Sequence, residues 1–138
     1  MFKKTVSYTD FNDQPQTKTL YFNLTKSEVI EMETEGETSF SEDLKKIINE
    51  KNGKDIMRVI KKIILTSYGV KSEDGQSFRK SKEITEEFEQ SAVYDALFME
   101  LCTNAEAASE FITRVMPLSD EQRKQVAEEA KQYKLPEG

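Results

Sequence analysis

The hydrophobic period of this chain changes once within its first 28 residues, and that change limits what it can fold into. Phe2, Val6 and Tyr8 share one parity, with Thr5, Ser7 and Thr9 on the other. Leu20, Phe22 and Leu24 then share a face opposite Thr19, Tyr21 and Asn23. Alternation of period two is the strand signature. The intervening Asp10-Phe11-Asn12-Asp13-Gln14-Pro15 is rich in turn formers, so residues 2–24 are expected to form a β-hairpin. Thr25-Lys26-Ser27-Glu28 is a capping box, in which the threonine hydroxyl accepts from the new helix and the glutamate reaches back. Beyond it the apolar spacing is helical.

A short helix over about Lys26–Thr34 carries Val29, Ile30 and Met32, and Glu35-Gly36-Glu37-Thr38-Ser39 breaks it. Ser41 caps a second helix holding Leu44, Ile47 and Ile48, which Asn52-Gly53 ends. The clearest helix runs from Asp55 to Tyr68, where Ile56, Val59, Ile60, Ile63, Ile64 and Ser67 form a wide stripe. Gly69 sits where a left-handed C-cap glycine belongs. Val70–Ser81 reads as a polar loop with an Asp74-Gly75 turn, and Phe78, its only large apolar residue, is expected to pin it to the core. Glu83–Gln90 and Ser91–Thr103 form one or two helices, with Tyr94, Leu97, Phe98, Leu101 and Cys102 as a second stripe. Asn104 caps a helix lined by Ala108, Phe111, Ile112 and Val115, which Pro117 stops. Ser119-Asp120-Glu121-Gln122 opens a final helix with the thin stripe Val126, Ala130 and Tyr133. The expected fold is α+β and mostly α: an N-terminal hairpin followed by about five to six short helices in one compact domain. Residues 1–117 make that domain, and 118–138 form a loosely attached helix or tail.

Composition narrows the function. Histidine is absent, which removes the commonest general base, metal ligand and pH switch. Ser–His and Cys–His nucleophile activation are therefore excluded within the chain. The single cysteine, Cys102, forbids an internal disulfide and sits on an apolar helical face as a small hydrophobe. Apolar runs such as Ile63–Leu65 are far short of the roughly 20 residues of a membrane span. Met1-Phe2-Lys3-Lys4-Thr5 lacks the apolar core of a signal peptide. A soluble, non-enzymatic protein of a reducing cytoplasm, with no cofactor and no metal, is the expectation.

Charge is segmental: net +1 over residues 1–30, −5 over 31–50, +6 over 51–82 and −8 over 83–138, which sum to the formal −6. The basic segment holds Lys54, Arg58, Lys61, Lys62, Lys71, Arg79, Lys80 and Lys82. A nucleic-acid surface would use such charges on phosphates. An acidic protein without interleaved aromatics fits better with pairing between this segment and its acidic flanks, within or between subunits. Arg58, Lys61 and Lys62 are the candidates for self-association. Glu83, Glu86, Glu87 and Glu89 could attract a hard cation, but no calcium-loop pattern accompanies them and a solvated face is the simpler reading.

Three stretches carry a resemblance: residues 19–28, residues 65–81 and Tyr94-Asp95-Ala96-Leu97-Phe98-Met99-Glu100-Leu101. The middle one, with its Tyr68-Gly69-x-Lys71-Ser72-x-Asp74-Gly75-x-x-Phe78 pattern, is the most specific. In this order they resemble the tail assembly chaperones of long-tailed phages and prophages of Gram-positive bacteria, over about residues 1–117. The resemblance implies a protein that coats and solubilises the tape measure protein, is displaced by tail tube protein, and is absent from the finished virion. It also implies a longer frameshifted product that recruits tube protein. The partner-binding candidates are Lys71, Phe78, Arg79 and Lys80 in the loop and Val126, Ala130 and Tyr133 in the last helix. Two other readings are a virion structural protein, such as a tail completion or connector subunit, and a small regulatory or nucleic-acid-binding protein.

Overall fold

The alternation from Phe2 to Leu24 folds as expected. In the computed structural model, which describes residues 1–34 and 53–116 together with Glu121 and Lys124, strands β1 (Phe2–Thr9) and β2 (Pro15–Phe22) pair antiparallel from Phe2–Phe22 to Thr9–Pro15. Phe2, Val6, Leu20 and Phe22 are buried on one face, and Leu24 continues it. The capping box forms as read: Glu28 N–H donates to Thr25 Oγ1 at 3.1 Å and Thr25 N–H to Glu28 Oε1 at 3.1 Å. It opens α1 (Lys26–Thr34), which packs Val29 on the core and leaves Ile30 exposed.

Helix α2 (Gly53–Ser67) puts Val59, Ile60, Ile63 and Ile64 into the core. The chain passes straight from Ser67 into β3 (Tyr68–Lys71), which pairs with β4 (Phe78–Arg79). This corrects two sequence expectations. Residues 70–81 are not only a loop but a second hairpin, and the sheet has four strands in the order β1-β2-β3-β4. Gly69 is no left-handed cap, since Gly75 (φ 75°) is the glycine with positive φ among the described residues. The end of α2 is satisfied differently: Asn23 N–H donates to the Ser67 carbonyl at 2.9 Å, and the Ser67 hydroxyl donates back to Ile63 O at 2.5 Å. The Asp74-Gly75 turn stands, closed by Ser72 N–H to Ser77 O at 2.9 Å and by the Ser72 hydroxyl to Asp74 Oδ1 at 2.7 Å.

Residues 82–103 form two helices, α3 (Lys82–Glu89) and α4 (Ala92–Thr103), because Ser81 and Ser91 each cap a new N-terminus. Asn104 caps α5 (Ala105–Val115) through its side-chain oxygen, which accepts from Ala107 N–H at 3.1 Å. Ala108, Phe111, Ile112 and Val115 are buried as read. The helices cover the inner face of the sheet, and Phe22 lies where the layers meet, with its ring 5.1 Å from Phe111, 5.9 Å from Tyr68 and 6.3 Å from Phe88. Cys102 is fully buried and desolvation pushes its thiol pKa up, as suits a small core hydrophobe. The helix read around Leu44–Ile48 and the one carrying Val126, Ala130 and Tyr133 lie outside the described residues.

Candidate partner-binding face

Because side chains alternate across a strand, the outer face of the sheet follows from the buried one. It carries Lys3, Thr5 and Ser7 from β1, Thr17, Thr19 and Tyr21 from β2, Gly69 and Lys71 from β3, and Phe78 from β4. Hydroxyls pair across the first two strands: Thr5 with Thr19 at 3.1 Å and Ser7 with Thr17 at 3.5 Å. Further along, the Lys3 and Lys71 ammoniums each lie 5.9 Å from the centre of the Tyr21 ring. Apart from the half-buried Tyr21 and Phe78 and the buried Gly69, these residues are exposed. The face is open, weakly basic, and dotted with aromatic rings.

The sequence candidates divide on this surface. Lys71 and Arg79 are exposed on the β3–β4 hairpin. Phe78 belongs to the hairpin but not to the core; it lies half-buried on the outer face, against the bare backbone of Gly69. Lys80 turns inward. Its ammonium donates to Asn23 O at 2.6 Å and to Glu28 Oε2 at 2.5 Å, so one lysine ties β4 to the capping box of α1. Burial alone would raise the Glu28 pKa, but the Lys80 hydrogen bond and charge and the Thr25 N–H outweigh it and hold the carboxylate below its ordinary 4.5. A depressed carboxylate pKa contributes stability that is complete above the unfolded value and lost as pH falls through the folded one. Glu28→Gln is therefore expected to cost about 1 kcal/mol at neutral pH, a charge-assisted bond discounted for partial exposure. It should also flatten the loss of stability below pH 4.5; urea melts above and below that pH check both.

Among the self-association candidates, Lys61 pairs with Glu89 of the same chain at 3.1 Å. Arg58 and Lys62 also have partners within the chain. The basic segment thus answers the acidic blocks at least partly from within. Glu83, Glu86 and Glu87 are exposed on α3, and among the described residues no group of three His, Cys, Asp or Glu side chains could hold a metal ion.

Two features escaped sequence reading. β2 and β3 pair at only two positions, Tyr21–Gly69 and Phe22–Tyr68, and then diverge. A cavity of about 220 Å³ opens between them, lined by Leu20, Tyr21, Tyr68 and Val70 together with Lys18 and Lys71. The second is the tip of the first hairpin, where Phe11 is 82% exposed.

The sheet face, the divergent groove and the capped helices all belong to one continuous stretch of sequence, and a family model described as phage tail assembly chaperone matches residues 1–137. The chain belongs to the phage tail assembly chaperone family. The match takes in residues 118–137, beyond the reach of the three resembling stretches, so the tail is part of the chaperone as the family defines it. No curated protein and no solved structure matches the chain. As a tail assembly chaperone it has protein partners in tail assembly. No helix among the described residues is long and apolar enough to cross a membrane.

Proposed function

We propose that this chaperone binds and solubilises the tape measure protein during tail morphogenesis and is displaced when tail tube protein assembles around it. The observation that carries the reading is the family match across residues 1–137. The outer face of the sheet supports it. A holdase for a long substrate needs many contacts, each weak enough to release, and avidity along the substrate makes up for their weakness. An open face of hydroxyls, lysines and half-buried rings offers such contacts without a closed pocket. Lys71 and Phe78 are the contact residues proposed on this face, Arg79 is a third, exposed on the other side of the β3–β4 hairpin, and Val126, Ala130 and Tyr133, outside the described residues, are proposed as a second apolar contact. Lys80 contributes indirectly, by fixing β4. Copy-to-copy contact through Arg58, Lys61 and Lys62 belongs to the same proposal, and at Lys61 it competes with Glu89 of the same chain. The site of action is the cytoplasm of the host cell, and the chaperone is absent from the finished virion.

Co-expression with the tape measure protein of the same genome tests this. The tape measure is expected in the soluble fraction only when the chaperone is present, co-eluting with many copies of it. A tape measure that stays insoluble, or soluble without bound chaperone, overturns the reading.

A further inference from the structure

The first hairpin ends in an aromatic ring that stands outside the core formed by the described residues. Phe11 is 82% exposed. A lone exposed apolar residue is ordinary, but this one is held out on a fixed turn. Asp10 Oδ1 accepts from Asn12 N–H at 2.9 Å and Gln14 N–H at 3.0 Å, its Oδ2 accepts from Gln16 Nε2 at 3.0 Å, and Asp13 takes a left-handed φ of 60°. A turn whose backbone is already set loses less freedom on docking than a mobile one would. Asp10 and Asp13 flank the ring with negative charge.

The groove between β2 and β3 is its complement. Leu20, Tyr21, Tyr68 and Val70 give it apolar walls, and its volume of about 220 Å³ exceeds the roughly 150 Å³ that suffices for benzene in an apolar cavity. Its charged lining is Lys18 and Lys71, with no carboxylate. Neither lysine forms a salt bridge among the described residues. A second cavity of equal volume on the helix side of the same divergence shares Lys18 but sets Glu87 beside it, so it offers an acidic tip less net positive charge. Among the described residues Phe11 is not seated in this groove, and the acidic tip and the lysine-lined groove are complementary in charge.

We infer that the chaperone self-associates by seating Phe11 of one copy in the β2–β3 groove of a second, with Asp10 and Asp13 facing Lys18 and Lys71. Each copy carries both the ring and the groove, on different residues, so the contact can pass from copy to copy. It is independent of which tail protein the chaperone holds.

Sedimentation equilibrium of the full chain over a concentration series tests this. The parent chain is expected to gain mass with concentration. Phe11→Ala, an exposed position whose loss leaves the melting curve unchanged, should raise the dissociation constant roughly ten- to a hundredfold, the size of a central anchor. The double variant Lys18→Glu/Lys71→Glu should do the same. Mixing these two variants should restore a heterodimer, because one supplies the groove and the other the ring. A parent chain monomeric up to about 1 mM, a Phe11→Ala chain that associates like the parent, or a mixture that stays monomeric overturns the proposal. Failure of tape measure solubilisation with these mass shifts intact would sink the chaperone reading and leave the contact standing.

Discussion

Phe22→Ala is expected to lower the stability of the chaperone by about 3–5 kcal/mol, the range for truncating a buried phenylalanine. Phe22 is fully buried, and its ring touches those of Phe2, Tyr68, Phe88 and Phe111, so β1, β3, α3 and α5 all lose a neighbour at once. Lost transfer energy and a cavity bounded by rings from separate elements both contribute, and those elements cannot collapse together without breaking the sheet register. Against a total of about 5–15 kcal/mol for a domain, the change removes a large fraction of the folding free energy. Urea midpoints measure it. Phe22→Leu should lose much less, and Tyr21→Ala, one residue away on the open face, should change stability by under about 1 kcal/mol. Equal losses at residues 21 and 22 would show that this face is not the core.

Gly69→Ala is the second large effect. A methyl group there would stand 2.7 Å from Phe78 Cε2, 2.8 Å from Phe78 Cζ and 2.8 Å from the Arg79 carbonyl oxygen. The ring can swing aside, but the carbonyl belongs to the backbone of β4, and moving it disrupts the Val70–Arg79 pairing. Overpacking of this kind costs about 1–3 kcal/mol. Phe78→Ala in the same chain should recover only part of the loss, because it frees the ring and leaves the carbonyl in place. Full recovery in that double variant, read from urea melts, would assign the whole effect to the ring. Proteolysis of the 72–77 turn should quicken in the single variant as the second hairpin loosens.

These two residues also mark what the sequence could reveal. Phe22 was legible because β2 alternates over enough residues to show its period, and because Thr25 and Glu28 signal the end of the sheet. The stripes of α2, α4 and α5 were equally plain, as was the Asn104 cap. β3 and β4 were not legible. Strands of four and two residues carry no period, and Gly69 after a long helix looks like a terminator when its task is to let another backbone come close. Lys71 and Arg79, cations of a polar stretch, are exposed in the fold. Lys80 has the same composition signal but faces inward, and only the fold could bring Glu28 to it. Phe11 sits among turn formers, whose signal marks the hairpin tip and not the ring. A large ring between Asp10 and Asn12-Asp13 was the available clue, but the groove it fits is made by two strands far apart in sequence.

That separation has a consequence for how the molecule is born. β1 and β2 meet through a short turn and can pair within microseconds of leaving the ribosome, whereas β3 must close a long loop to reach β2, and Phe88 and Phe111 emerge later still. Closing long loops and joining distant strands is the slow part of folding. The nascent hairpin therefore waits with Phe2, Val6, Leu20 and Phe22 uncovered while the helices that shield them are made. A protein whose family attends to the assembly of others spends its own synthesis with a bare apolar sheet, and its translation rate, as much as its sequence, sets how long that exposure lasts.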